Sequence, residues 1–218
     1  MKILLVDDHP MTVDGYLSAL TKDKSVLFAP VFTKAYDCEQ AYNIILAAVD
    51  EGQPFNLVIM DEGLPQYGAK GIKSGSDLAQ FVNKIMPNCK IIMITAHTEV
   101  LLIYNITKNI HPNGLVIKNE ITPDNLLEIV REVIKGNQYQ SPMVKNCIQE
   151  IWKKELMIED YNRQILFYLS KGFKIKDIEQ TMAISSSAVQ KRILKMKKAF
   201  GISDETGLVK EAFRLGFI

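Results

Sequence analysis

Four short apolar runs each give way to a polar side chain at their carboxyl end. Ile3-Leu4-Leu5-Val6 leads into Asp7-Asp8, and Leu57-Val58-Ile59-Met60 into Asp61. Ile91-Ile92-Met93-Ile94 leads into Thr95-Ala96, and Leu115-Val116-Ile117 into Lys118. Continuous apolar runs of this length suit strands buried on both faces, as in parallel α/β sheets. A fifth strand is expected at 26–32, and helical periodicity fills 11–21, 36–50, 77–86, 99–109 and 122–135. The last of these is well punctuated, with Thr122 to cap it, Pro123 at its first position and Gly136 to stop it. The alternation predicts an α/β domain over 1–135, a doubly wound five-stranded parallel sheet with helices on both faces.

Sites in such sheets form at the carboxyl ends of the strands. Four strand ends therefore bring three carboxylates, a hydroxyl and an ammonium to one crevice. Carboxylate oxygens suit Mg²⁺, which keeps several waters and needs only one or two protein carboxylates. Asp8 and Asp61 are the expected direct ligands, with Asp7 acting directly or through water. Three close carboxylates repel without a cation, so at least one should be raised in pKa. An ionised Asp61 can attack phosphorus as a nucleophile. Lys118 and Thr95 would then meet the peripheral oxygens of the transferred group. An isolated aspartate at a strand end is most often a turn or cap residue. Only the joint occurrence at four ends turns the inventory toward phosphoryl chemistry. The stretch Gly63 to Gly75, with four glycines, a proline and two lysines, is expected to be a mobile loop.

The net charge of +1 is unevenly spread: residues 1–149 carry 13 basic and 16 acidic side chains, while residues 150–218 carry 13 and 9. The basic excess lies in the last third, which by itself describes many solvated lysine faces. No apolar stretch approaches membrane-spanning length, and Asp7-Asp8 interrupts the N-terminal run too early for a signal peptide. Cys38, Cys89 and Cys147 are odd in number and widely spaced, which points to a reducing cytoplasm rather than disulfides or a zinc site.

Residues 1–135 resemble the receiver domain of bacterial two-component response regulators, a flavodoxin-like fold. The resemblance rests on Ile3-Leu4-Leu5-Val6-Asp7-Asp8-His9-Pro10, on Leu57-Val58-Ile59-Met60-Asp61-x-x-Leu64-Pro65, on Thr95-Ala96 and on Lys118. It implies that Asp61 accepts a phosphoryl group from a sensor histidine kinase, with Mg²⁺ held by Asp7, Asp8, Asp61 and the Gly63 carbonyl. It also implies that Thr95, Ala96 and Lys118 bind the phosphoryl group and switch the far face of the domain. Members usually carry Tyr or Phe three residues before the lysine, where this chain has Leu115, and the loop after Pro65 is longer than usual by about five residues.

A linker is expected over 136–157, beginning Gln138-Tyr139-Gln140-Ser141-Pro142 and followed by a short helical stretch near 143–154. Beyond it the pattern is purely helical, over 159–171, 174–182, 185–199 and 204–215. Val189, Ile193, Met196 and Phe200 share one face of the third helix, and residues 185–200 hold five basic side chains and no acid. Such a helix fits the major groove, with lysines on phosphates and Gln190 suited to an adenine edge. Leu194 on the outer half can meet a thymine methyl or simply be an exposed leucine.

Residues 158–218 resemble the LuxR/NarL-type helix-turn-helix domain, through Ile165-Leu166-x-x-Leu169-x-x-Gly172, Lys197-Lys198-Ala199-Phe200-Gly201-Ile202 and Ala212-x-x-x-Gly216-Phe217-Ile218. The resemblance makes 185–199 the recognition helix, with DNA contacts at Ser186, Ser187, Ala188, Gln190, Lys191, Lys195 and Lys198. It puts a dimer contact on the last helix, at Leu208 and Ala212. Gln164 stands where Glu is usual and Arg192 where His is usual.

Together the two resemblances imply a cytoplasmic, non-enzymatic response regulator whose phosphorylation controls homodimerisation and promoter binding, with no membrane association. Two other readings remain. A Mg²⁺-dependent phosphohydrolase would pass through the same aspartyl-phosphate, but it would want an acid at position 63, which is glycine. A phosphorylation-independent DNA-binding or interaction module would be consistent with Leu115 and the altered loop.

Overall fold

The computed structural model describes residues 1–22 and 30–218, which form two compact units, Met1–Ile148 and Gln149–Ile218. In the first, β1 (Lys2–Val6), β2 (Val31–Ala35), β3 (Leu57–Asp61), β4 (Lys90–Thr95) and β5 (Gly114–Ile117) build a parallel sheet with β6 (Tyr139–Gln140) at its edge. The order is β2-β1-β3-β4-β5-β6. Alternate strand residues serve opposite faces, as the pleat requires. Leu4, Val6, Val58, Met60, Ile91, Met93, Leu115 and Ile117 pack with α2 (Cys38–Asp50), α3 (Gly75–Ile85) and α4 (Val100–Ile110). Ile3, Leu5, Leu57, Ile59, Ile92, Ile94 and Val116 pack with α1 (Pro10–Thr21) and α5 (Pro123–Ile134). Both faces are covered, which is why these strands read as unbroken apolar runs.

Helix starts follow local chemistry. Asp37 caps α2 by accepting from Gln40 N at 2.7 Å, and Ser74 caps α3. Thr122 and Asn125 form the reciprocal capping box that opens α5.

Three expectations need correction. The sheet has six strands rather than five, because the segment read as linker folds back onto β5. Ser141 N donates to Leu115 O at 3.1 Å, and the buried Ser141 hydroxyl accepts from Ile117 N at 3.2 Å. The linker then continues as a 17-residue helix, α6 (Pro142–Ile158). Its early residues Val144 and Cys147 lie in the first unit's core, and Leu156 and Met157 in the second's.

The second strand lies at 31–35 instead of 26–32, of which residues 26–29 fall outside the described residues. Pro30, which has no N–H for a sheet ladder, directly precedes the strand. The glycine-rich stretch after Asp61 is not an open loop either. Leu64 and Ile72 are buried, Tyr67 and Ile72 bridge each other, and Cys38 N donates to Pro65 O at 3.1 Å.

The second unit contains α7 (Asp160–Ser170), α8 (Ile175–Met182), α9 (Ser186–Phe200) and α10 (Glu205–Arg214) around a core that includes Ile165, Leu166, Ile178, Val189, Ile193 and Met196. Each turn has its own stop. Gly172 and Gly201 take left-handed backbone, as does Ala183 between α8 and α9.

Gly75 marks the tightest approach in the first unit, because a Cβ there would sit 2.0 Å from the Asp61 carbonyl oxygen. Gly75→Ala must push the start of α3 off β3, and it should cost about 1–3 kcal/mol in urea unfolding.

Candidate functional site

Sheet register assembles the acidic crevice. Val6 pairs with Met60, so Asp7 and Asp61 emerge side by side from β1 and β3. Asp61 pairs with Ile94 and Thr95 with Ile117, which brings the end of β4 and then Lys118 to the same rim. Residues 111 apart in sequence thus meet: Lys118 Nζ lies 2.7 Å from Asp7 Oδ2 and 3.8 Å from Asp61 Oδ2.

Asp7 is completely buried and also accepts from His9 N at 3.0 Å. Asp8 is more open, and His9 Nδ1 lies 2.6 Å from its Oδ1, out of hydrogen-bonding alignment. The Asp61 Oδ2 accepts from Gly63 N at 3.2 Å, while the buried Oδ1 has no hydrogen-bond partner among the described residues. Thr95 is fully buried, with its hydroxyl accepting from His97 N at 3.0 Å; Ala96 beside it is exposed. Asp7, Asp8, Asp61, Gly63, Thr95, Ala96 and Lys118 thus lie together at one end of the sheet. Asp7, Asp8 and His9 hold ligand atoms within 4.8 Å of one another.

Glu62, just beyond the strand end, was not singled out by sequence reasoning. It is buried, and the Ser76 hydroxyl donates to its Oε2 at 2.6 Å. The acidic pair Asp61-Glu62, like Asp7-Asp8, was the available signal.

Burial pushes the Asp61 carboxyl up. Lys118 opposes this, Asp7 adds to it, the Gly63 N–H lowers it and Asp8 adds a smaller rise. Burial likewise raises Glu62, against the hydroxyls of Ser76 and Ser74. Lys118 and the Gly63 N–H therefore do not offset the burial of the Asp61 carboxyl beside two other carboxylates. A crevice of this kind suits a divalent cation and a phosphoryl group.

The second candidate surface is α9. Ser185 caps it, accepting from Ala188 N at 3.3 Å. Its buried stripe is Val189, Ile193 and Met196, with Phe200 half-buried. Ser187, Gln190, Lys191, Lys195 and Lys198 are exposed, and Ser186 and Ala188 are half-buried. The Ser186 hydroxyl is engaged by Glu179, and Leu194 is 65% exposed. Arg192 turns the other way: it binds Glu159, donates to Asn162 Oδ1 at 3.0 Å and stacks 5.0 Å over Tyr161. It ties α9 to the start of α7 and is not part of the open cationic face. Lys195 lies 5.8 Å over the Trp152 ring.

Leu208 and Ala212, expected at a dimer contact, are instead fully buried in the unit's own core. They belong to the face of α10 that packs on the unit's interior. The outward face carries Phe213, 59% exposed.

No family model matches the chain. The transcriptional regulatory protein MctR of Rhizobium johnstonii is 22% identical over 220 residues, covering all of this chain and 95% of its own length. The probable transcriptional regulatory protein NarL of Mycobacterium tuberculosis is 23% identical over 219 residues, covering 98% of this chain and 94% of its own. Over nearly its whole length this chain is similar in sequence to transcriptional regulatory proteins. Among solved structures, RcsB of Salmonella enterica serovar Typhimurium, bound to promoter P1flhDC with the phosphomimetic BeF3-, is 15% identical with a TM-score of 0.56 over 96% of both chains. That likeness is one of fold: a parallel sheet with flanking helices, followed by a helical unit. No described helix is long and apolar enough to cross a membrane.

The pKa directions fix the sign of one test. Asp61 binds its proton more tightly when folded than when unfolded, so its ionisation lowers stability as pH rises from 3.8, the usual value, through the raised folded value. In chelator at pH 7, Asp61→Asn should melt at a higher temperature than the wild type. The advantage should shrink as the pH falls through the raised folded value and vanish below 3.8, where Asp61 is neutral in both states.

Proposed function

We propose that this protein is a DNA-binding response regulator in which phosphorylation of Asp61 by a sensor histidine kinase controls promoter binding. The observation that carries this reading is the convergence of Asp7, Asp61 and Lys118 within 2.7–3.8 Å, with Asp61 Oδ1 buried and unpartnered among the described residues. A nucleophile needs such an oxygen. In the reaction an Asp61 oxygen forms a bond to phosphorus while the bond from phosphorus to the donor's imidazole nitrogen, or to the oxygen of acetyl phosphate, breaks. The electron pair leaves with the donor.

Lys118, freed in part from Asp7, meets the new negative charge, and the Thr95 hydroxyl turns from His97 N toward a phosphoryl oxygen. The residues fit Mg²⁺ as well: Asp8 Oδ1 is buried without a hydrogen-bond partner among the described residues, Asp61 has a second carboxylate oxygen in Oδ2 besides the attacking one, and hard oxygen ligands are what that ion takes. We assign Asp7, Asp8, Asp61 and the Gly63 carbonyl to it. When bound, it neutralises the carboxylates and the phosphoryl oxygens. Turnover is limited to accepting the group and losing it by hydrolysis.

The output is assigned to α9, whose Ser186, Ser187, Ala188, Gln190, Lys191, Lys195 and Lys198 lie along its outer and N-terminal surface. RcsB, the fold relative, is solved on promoter DNA. Phosphorylation acts by favouring a DNA-competent homodimer, a coupling of about 1–3 kcal/mol.

Intact-protein mass after incubation with Mg²⁺ and acetyl phosphate tests the acceptor. The expected result is one added phosphoryl in the wild type and none in Asp61→Ala; equal addition to both proteins would refute the assignment. For the output, replacing Lys191 and Lys198 together by alanine should weaken binding to all duplex sequences alike. It should also reduce the slope of log K against log salt by about two, one for each phosphate no longer neutralised by a lysine.

A further inference from the structure

We infer that Glu62 is a positioning residue for phosphoryl acceptance, latched to the start of α3 so that the adjoining Gly63 peptide holds Asp61 with its Oδ1 presented to the donor. The inference rests on Asp61 being the acceptor, as proposed above.

Backbone and side-chain contacts fix Glu62, the Ser74 hydroxyl and the Ser76 N–H also reaching its carboxylate. Its backbone N–H donates to Ile94 O on β4 at 2.9 Å, its carbonyl accepts from Gly75 N at 3.0 Å, and its carboxylate accepts from the Ser76 hydroxyl at 2.6 Å. The first two anchor the backbone on either side, but the start of α3 stays in place only if something holds it against β3. Packing there is already so close that a Cβ on Gly75 would overlap the Asp61 carbonyl. The side-chain latch between Glu62 and Ser76 closes this loop from the other end.

With Glu62 held, the next peptide is held too, and its Gly63 N–H takes Asp61 Oδ2 at 3.2 Å. That bond fixes which carboxylate oxygen is engaged and which is left over. The oxygen left over is the buried Oδ1.

A carboxylate at a helix start has a simpler use, since it meets free N–H groups and the positive end of the helix dipole. Ser74 already caps α3, accepting from Ser76 N at 3.1 Å. A buried carboxyl is also a costly way to add a second cap, because burial disfavours its charged form. What distinguishes Glu62 is its place in the chain, between the acceptor and the glycine that orients it. Reach matters as well. Aspartate at 62 is shorter by one methylene and would not reach Ser76 from the same backbone.

The test compares full-length wild type, Glu62→Ala, Glu62→Gln and Ser76→Ala. Two quantities are read: the rate constant for phosphoryl uptake from acetyl phosphate, by intact mass, and the melting temperature. Glu62→Ala should slow uptake about tenfold, since small misplacements of a reacting group cost factors of this size or more. Glu62→Gln keeps an oxygen for the Ser76 hydroxyl and should recover the rate to within about twofold. Ser76→Ala should slow uptake in the same direction, and the double variant with Glu62→Ala should be no slower than Glu62→Ala alone.

A Glu62→Ala protein that melts lower yet takes up phosphoryl at the wild-type rate overturns the inference, because Glu62 then serves stability only. If Glu62→Ala does not fold, the variant with both Ser74→Ala and Ser76→Ala decides, and an unchanged rate there is equally fatal. A wild type that takes up no phosphoryl removes the inference together with the reading beneath it. A wild type that does, beside an equally fast Glu62→Ala, removes the inference alone.

Discussion

Lys118 reaching across to Asp7 and Asp61 is the contact on which the crevice depends. A fully buried carboxylate such as Asp7 is tolerable only when a charge or several donors meet it. Asp7 has both, at 2.7 Å from Lys118 Nζ and 3.0 Å from His9 N. The lysine comes from the far side of the sheet, after β5, so the contact exists only in the order β1-β3-β4-β5. Asp61 receives the weaker share, at 3.8 Å, and its carboxyl stays raised. The site is under-compensated by construction. That imbalance is what a cation relieves and what a phosphoryl group, arriving with its own charge, reorganises.

The edge beyond β5 shows how the two strands that bear Thr95 and Lys118 end against the same helix. Cys147 on α6 donates its thiol to Thr98 O at 3.9 Å, just past Thr95. Met143 at the start of α6 donates its N–H to Glu120 Oε1 at 3.1 Å, just past Lys118. Leu115, standing where the family it resembles usually has an aromatic ring, is buried beneath α4 and bonded through its carbonyl to Ser141 N. The edge of β5 is here closed by the main chain of β6 and the turn into α6.

Much of the first unit was legible. The apolar runs 3–6, 91–94 and 115–117 lie within β1, β4 and β5, because parallel strands covered on both faces have few polar residues to blur them. The described part of β2 was legible only at Val31 and Phe32, because it is an edge strand. With Val31 56% exposed, its pattern Val31-Phe32-Thr33-Lys34-Ala35 is not an unbroken apolar run. The two-residue β6 carried no periodicity at all, and a Tyr-Gln-Ser-Pro string reads as linker until a neighbouring strand edge supplies its hydrogen bonds. Glycine content made 63–75 look loose, although Leu64 and Ile72 in the same stretch are core residues.

The sequence by itself determined the chemical inventory of both sites. Acids, hydroxyl and lysine at strand ends, and a lysine-bearing amphipathic helix behind a serine cap, follow from local pattern because period and capping are properties of a few consecutive residues. Only the tertiary structure decided which groups meet. It set Lys118 against Asp7, put Glu62 against Ser76, turned Arg192 inward to Glu159 and Asn162, and buried Leu208 and Ala212 where an interface was expected. Those outcomes depend on sheet order and on which face of a helix a neighbouring helix covers. Both are set by contacts between residues tens of positions apart, which no local pattern contains.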